Sequence, residues 1–183
     1  MSKSLVIKKR RWATFGTGGT LPGKLLMTEK EFLENLTILI DSREQAAYSF
    51  PGYKSVIRGL PIGDYSLLHC ENEISIERKS IDDLMGSLTK GRERFEKELK
   101  KGEYLRYFAL VIEASLTGIV NGRYTSEMIP KSAVQSLLAW SVKYRLPIFF
   151  CESREYAERI TLSLLLKYGR MVYQKYSLLA KKA

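Results

Sequence analysis

From residue 37 onward the apolar and polar positions fall into short runs whose period changes along the chain. TILID (37–41), YKSVIRGL (53–60), GDYSLLHC (63–70) and EISIERK (73–79) alternate with period two or are short and β-branched, which predicts strands. YFALVIEA (107–114) is apolar enough for a central strand buried on both faces, and PIFFC (147–151) predicts a last short strand. Helical spacing marks TEKEFLENL (28–36), opened by Thr28 with Glu31 as its capping-box partner. It returns in SIDDLMGSL (80–88), in GRERFEKELKKGEYL (91–105) with its Glu93/Lys97 and Glu96/Lys100 pairs, in SAVQSLLAWSVKY (132–144) and in REYAERITLSLLLKYGRMVYQKY (154–176). Strands first, then strands alternating with helices, imply an α/β domain with a mixed central sheet flanked by helices. The expected organisation is a basic, Gly-rich arm with a short helix over 1–36, a core over 37–168 and a helical extension over 169–183.

The same period places chemistry. Along the strand at 74–79, Ser75, Glu77 and Lys79 face one way and Ile74, Ile76 and Arg78 the other. The turn Glu71-Asn72-Glu73 folds GDYSLLHC back beside that strand and brings Asp64 towards the end carrying Glu77. Asp41 ends a neighbouring apolar strand. Three carboxylates meeting at a sheet rim repel and raise one another's pKa values unless a cation lies among them. Oxygen-only donors, with the Arg78 carbonyl and waters completing the set, suit Mg²⁺ or Mn²⁺ better than zinc. Such an ion acidifies water and polarises a phosphodiester, with Lys79 orienting the water or steadying the developing charge. Asp, twelve residues, then Glu-x-Lys also arises by chance in a charged protein, where it is only a solvated hairpin.

Charge narrows the partners. Thirty Lys and Arg against twenty Asp and Glu give +10 and a pI near 9.6. That favours a polyanion, nucleic acid ahead of an anionic membrane, although net charge also serves solubility alone. Cys70 and Cys151 are far apart and His69 is the only histidine, so neither a disulfide framework nor a His/Cys zinc site is expected. No apolar run reaches membrane-spanning length, and the protein is expected to be intracellular, cytoplasmic if prokaryotic or phage-encoded. GGTLPGK (18–24) has P-loop spacing, but Leu25 stands where Ser or Thr holds magnesium and no apolar strand precedes it, so a Gly-rich loop or hairpin is the reading. VIKKRR, Trp12 and Phe15 form either a DNA-touching arm or a solvated tail and hairpin packing. His69 is near a turn, and metal chemistry requires no imidazole.

IDSRE (40–44), GDY (63–65), ERKSIDDL (77–84) and SLTKGRERFEKEL (87–99), in that order, resemble the XPF-type structure-specific endonuclease family, whose signature is GD…ERKxxxD. The likeness runs from about Thr37 to Tyr168. It implies a restriction-endonuclease-like core that cuts one strand of branched DNA, forks or flaps, near a duplex-to-single-strand junction with Mg²⁺ or Mn²⁺. Carried over, Asp41, Asp64 and Glu77 are metal carboxylates and Lys79 the catalytic lysine. Arg43 and Arg78 match the family's arginines, with Arg78 either pairing with a carboxylate or gripping phosphate. Asp83 matches the signature's last acid, yet it also sits at N3 of a helix capped by Ser80. Lys90, Arg92 and Arg94 are phosphate-contact candidates on a helix face that simple solvation would also explain. The chain has no room for the helix-hairpin-helix modules or helicase of many members, so a partner protein or the arm is expected to supply DNA targeting. Apolar C-terminal helices suggest a homodimer. The rivals are a four-way-junction resolvase, an unselective nuclease and a non-catalytic DNA-binding subunit.

Overall fold

A computed structural model describes residues 27–180. The elements are α1 (Glu29–Glu34), β1 (Thr37–Asp41), β2 (Lys54–Arg58), β3 (Tyr65–Leu67), β4 (Ile74–Lys79), α2 (Ile81–Leu88), α3 (Arg92–Gly102), β5 (Tyr107–Ile112), α4 (Leu116–Val120), α5 (Pro130–Lys143), β6 (Ile148–Phe150) and α6 (Arg154–Ala180). Six strands form one sheet in the order β2-β1-β3-β4-β5-β6. β3 runs antiparallel to both β1 and β4, and the other pairings are parallel. The mixed sheet expected from the sequence is therefore present, with GDYSLLHC and EISIERK paired as antiparallel neighbours.

Parallel strands need crossovers, and these put helices on the faces. On one face Leu84, Met85, Phe95, Leu99, Leu137 and Trp140 from α2, α3 and α5 pack on Leu110 and Ile112. On the other, Ala157, Leu165 and Tyr168 of α6 pack on Ile38, Ile40, Ile74, Ile76 and Val111. β5 contributes to both clusters, as its unbroken apolar run predicted. The parallel link from β1 to β2 carries no helix. Instead its loop buries Tyr48 and Phe50 against Tyr65, with Tyr48 stacked on Tyr65 at 5.0 Å and Phe50 edge-on to it at 5.6 Å.

Helix starts follow their caps. The Thr28 hydroxyl accepts the Glu31 N–H at 3.2 Å while Glu31 accepts the Thr28 N–H at 2.8 Å, the reciprocal box read from the sequence. One feature was not expected. SLTGIV forms the short helix α4, capped by Ser115, too brief to leave a periodic trace. The helix read over 154–176 is present as α6, and the expected boundary between 168 and 169 falls inside it. Gly169 lies within it, where a Cβ would stand 2.6 Å from Leu36 Cδ1, so the glycine lets α1 and α6 close. GGTLPGK, VIKKRR, Trp12 and Phe15 lie outside the described residues.

Candidate active site

The C-terminal ends of β1 and β4 and the start of β3 converge on one edge of the sheet. Gly63 makes this possible. Its φ is +70°, and a Cβ there would collide with the Ser75 hydroxyl. Ser75, fully buried on β4, donates to the Ile62 carbonyl at 2.7 Å and so fixes the turn that delivers Asp64. The Asp64 N–H donates to the Ile76 carbonyl at 2.9 Å, and its carboxylate accepts the Arg78 N–H at 2.7 Å. Asp41 joins through its backbone, donating to the Asp64 carbonyl at 2.8 Å.

The three acids are held differently. Asp41 is buried, and its two oxygens accept the Arg43 N–H, the Arg43 Nε and Nη2 groups and the Leu60 N–H, at 2.6 to 3.1 Å. Burial works against its charge, but the Arg43 guanidinium and the two N–H groups prevail and hold its pKa below the usual carboxylate range. Glu77 is also buried and pairs with Lys79 Nζ at 2.7 Å. Burial pushes Glu77 up, against the pull of Lys79. Burial works against the charge of Lys79, but Glu77, with Asp64 and Glu98 behind it, raises its pKa, and its ammonium lies 4.5 Å from the centre of the Phe95 ring. Asp64 has no cationic partner in contact, only the Arg78 N–H. Burial first, then the charge of Glu77, pushes its carboxyl up to about 8.

The expected convergence of three acids is thus only partly met. Asp64 and Glu77 are neighbours, whereas Asp41 is committed to Arg43. Among the described residues no three His, Cys, Asp or Glu side chains form a ready metal cage. A buried acid, Glu77, beside a half-buried one, Asp64, with a deficit of positive charge is nonetheless a donor set that fits a hard cation, since Mg²⁺ is commonly held by one or two carboxylates plus waters and phosphate.

The remaining candidates divide clearly. Strand parity does turn Arg78 to the opposite face, where it pairs with Glu113 through Nε–Oε1 at 2.8 Å and Nη2–Oε2 at 2.9 Å. Asp83 donates its N–H to the Ser80 hydroxyl at 3.2 Å and accepts from it at 2.6 Å, so it serves the α2 cap. Arg92 is taken up by Glu96 at 3.0 Å and Ser136 at 3.0 Å beside the Trp140 ring, while Lys90 and Arg94 are exposed. His69 follows β3, beyond its end remote from Asp64. Cys70 and Cys151 are free thiols.

Sequence reasoning missed Glu113 and Glu98. Glu113 ends the run FALVIE, and a lone acid closing a buried strand demands a partner, which was the available signal. Glu98, on α3, adds negative charge felt by Arg43, Glu77 and Lys79. Nothing in its amphipathic helix distinguished it from a solvated acid.

Comparison with known proteins agrees with this architecture. The ERCC4 domain family model matches residues 40–164. The solved structure of XPF from Aeropyrum pernix superposes with a TM-score of 0.58 at 20% identity, covering 75% of this chain and 67% of that one. XPF from Aeropyrum pernix in complex with DNA superposes with a TM-score of 0.54 at 20% identity, covering 77% and 66%. No curated protein matches the sequence. No helix among the described residues is long and apolar enough to cross a membrane.

Proposed function

The chain belongs to the ERCC4-domain family and has the restriction-endonuclease-like fold of XPF nuclease domains, and from that premise we propose that it is a divalent-metal-dependent endonuclease acting on branched DNA. The observation that carries this reading is the pair of buried Glu77 and half-buried Asp64, short of one positive charge, with the Lys79 ammonium beside it. A Mg²⁺ or Mn²⁺ ion held by Asp64 and Glu77 would supply an acidified water and a polarised phosphodiester. Lys79 keeps a fixed positive charge next to the acids, where negative charge develops during hydrolysis. Phe95 and Glu77 hold its ammonium from two sides.

Asp41 backs the pair through the hydrogen bond from its N–H to the Asp64 carbonyl. Arg43 holds its carboxylate in place, so Asp41 is proposed to shape the site beside the Asp64–Glu77 pair. The Arg43 side chain is 70% exposed, so a DNA phosphate can approach its guanidinium while it stays on Asp41. Exposed Lys90 and Arg94 are the proposed phosphate contacts at the start of α3, and the net charge of +10 supplies attraction at longer range. Arg92 is proposed to brace α3 on α5 instead. The XPF structure solved with DNA supports DNA as the substrate class.

Met171, Leu178 and Leu179 leave apolar surface uncovered on α6, which supports a second copy as partner, checked by light scattering. Targeting to branched structures through another protein remains part of the proposal.

Labelled fork, flap, four-way-junction and plain duplex DNA, incubated with the protein and Mg²⁺, Mn²⁺ or EDTA, test the activity. Nicking of forks or flaps that EDTA abolishes is expected. Equal cutting of every substrate would remove the branch preference, and cutting in EDTA would refute the metal requirement.

A further inference from the structure

The residues that follow Asp41 have little apolar anchorage. Ser42, Arg43, Gln45, Ala46 and Ala47 are exposed, and the next buried side chain is Tyr48. A loop of this kind opens at little free-energy cost unless polar contacts hold it. Yet it carries Arg43, whose N–H and guanidinium together make three of the four hydrogen bonds to the Asp41 carboxylate.

The anchors come from far along the chain. Arg154, the first residue of α6, donates through Nη2 to the carbonyls of both Ala46 and Ala47 at 2.8 Å each. Its Nη1 lies 3.2 Å from Glu113 Oε1, and its guanidinium carbon is 4.9 Å from the centre of the Tyr48 ring. Glu113 also grips Arg78 with both oxygens. Arg78 Nη1 reaches Glu44 Oε1 at 3.5 Å, and that same oxygen accepts the Ala46 N–H at 2.6 Å. The circuit closes on the loop.

We propose that Arg154 and Glu113 are positioning residues for the active site: they fix the loop 42–48 and thereby the hold of Arg43 on Asp41. This role rests on the nuclease reading above. Neither residue needs to touch DNA. α6 is docked independently by Ala157, Leu165 and Tyr168 in the apolar cluster, whereas the loop otherwise rests on Tyr48 at one end and on the hydrogen bonds of the Ser42 N–H to the Arg58 carbonyl and of Arg43 Nη2 to the Leu60 carbonyl at the other. The guanidinium shape matters, because a planar fork places two donors in fixed directions whereas an ammonium is a single compact charge. Glu113 orients that fork. Burial opposes its charge, but Arg78 and Arg154 hold its carboxyl below the usual range, so it remains an acceptor for both.

Two measurements on the same variants separate positioning from plain stabilisation. The first is amide hydrogen exchange of residues 42–48 in the protein alone. The second is single-turnover cleavage of a flap substrate across a Mg²⁺ series. Arg154→Ala is expected to accelerate loop exchange at least about tenfold, lower the cleavage rate at least about tenfold and raise the Mg²⁺ concentration for half-maximal rate. Arg154→Lys is expected to recover part of both, and it carries the comparison if the alanine variant does not fold. Glu113→Gln, added to Arg154→Ala, is expected to cost less than its effect alone, because the two act as a unit. Arg159→Ala, which breaks an exposed pair with Glu155 on the same helix, is expected to change neither reading.

Unchanged loop exchange in Arg154→Ala would overturn the clamp. Faster exchange with wild-type cleavage and Mg²⁺ requirement would overturn its positioning role. Wild-type protein that cuts no DNA would instead sink the nuclease reading itself.

Discussion

β4 carries charge on both of its faces at its C-terminal end. Towards α6, Arg78 is in contact with Glu113, Glu44 and, through Glu113, Arg154, so each charge there has an opposite partner. Towards α3, Glu77 has Lys79, but Asp64 beside it has only an N–H group. Both faces are shielded from water, and burial penalises charge on either side. The saturated face reads as a scaffold. The undersaturated one stores a demand for a cation, which a folded protein keeps only where something else meets it.

The comparison breaks most sharply at the acids. Glu77→Gln or Asp64→Asn is expected to reduce DNA cleavage by at least about a hundredfold while leaving the fold intact, as judged by circular dichroism and a rate assay. Cleavage that survives both changes would place the chemistry elsewhere. By contrast, Asp83→Asn is expected to leave the rate near wild type, since that side chain serves a helix cap.

Gly63 is the next lever. Alanine there meets both a positive φ and the Ser75 hydroxyl, and denaturant unfolding should show a loss of about 2 kcal/mol or more. A neutral Gly63→Ala would mean that the turn bearing Asp64 is looser than its geometry implies.

Acidity sharpens the contrast further. Asp64 titrates near 8 in the folded protein against 3.8 ordinarily, so the folded state binds its proton more tightly than the unfolded one. Its contribution to stability is fully present below about pH 3.8 and is lost as the pH rises through about 8. Without divalent cations, the Asp64 contribution to thermal stability should therefore decline across that window. The decline should flatten when Mg²⁺ is added and disappear in Asp64→Asn. Asp41, held below its usual range, contributes in the opposite sense: its stabilisation is lost as the pH falls through its folded pKa. The smallest effect is expected at the cap, where Ser80→Ala should cost about 1 kcal/mol with the Mg²⁺ requirement unchanged.

What could be read from residue order was local. A period of two put Glu77 and Lys79 on one face and sent Arg78 to the other, and a capping box fixed the starting turn of α1. GDYSLLHC announced a strand with an acid near its start. The hidden parts depend on pairings across long separations. Arg154 reaches back to Ala46 and Ala47, and Glu113 to Arg78, neither of which any local pattern encodes. Asp41 was read as a third metal carboxylate, and its pairing with Arg43, two residues away, was not anticipated. The long helix α6 was legible from its period, but the role of Gly169 within it, close approach to Leu36, was not.

Mn²⁺ binding measured by electron paramagnetic resonance on the protein alone, with Asp64→Asn, Glu77→Gln and Asp83→Asn in parallel, tests the acid pair most directly. Saturable binding to wild type and to Asp83→Asn, weakened at least about tenfold in the other two variants, is the predicted result. Equal binding to all four proteins, or none to wild type, would contradict a cation seat at Asp64 and Glu77.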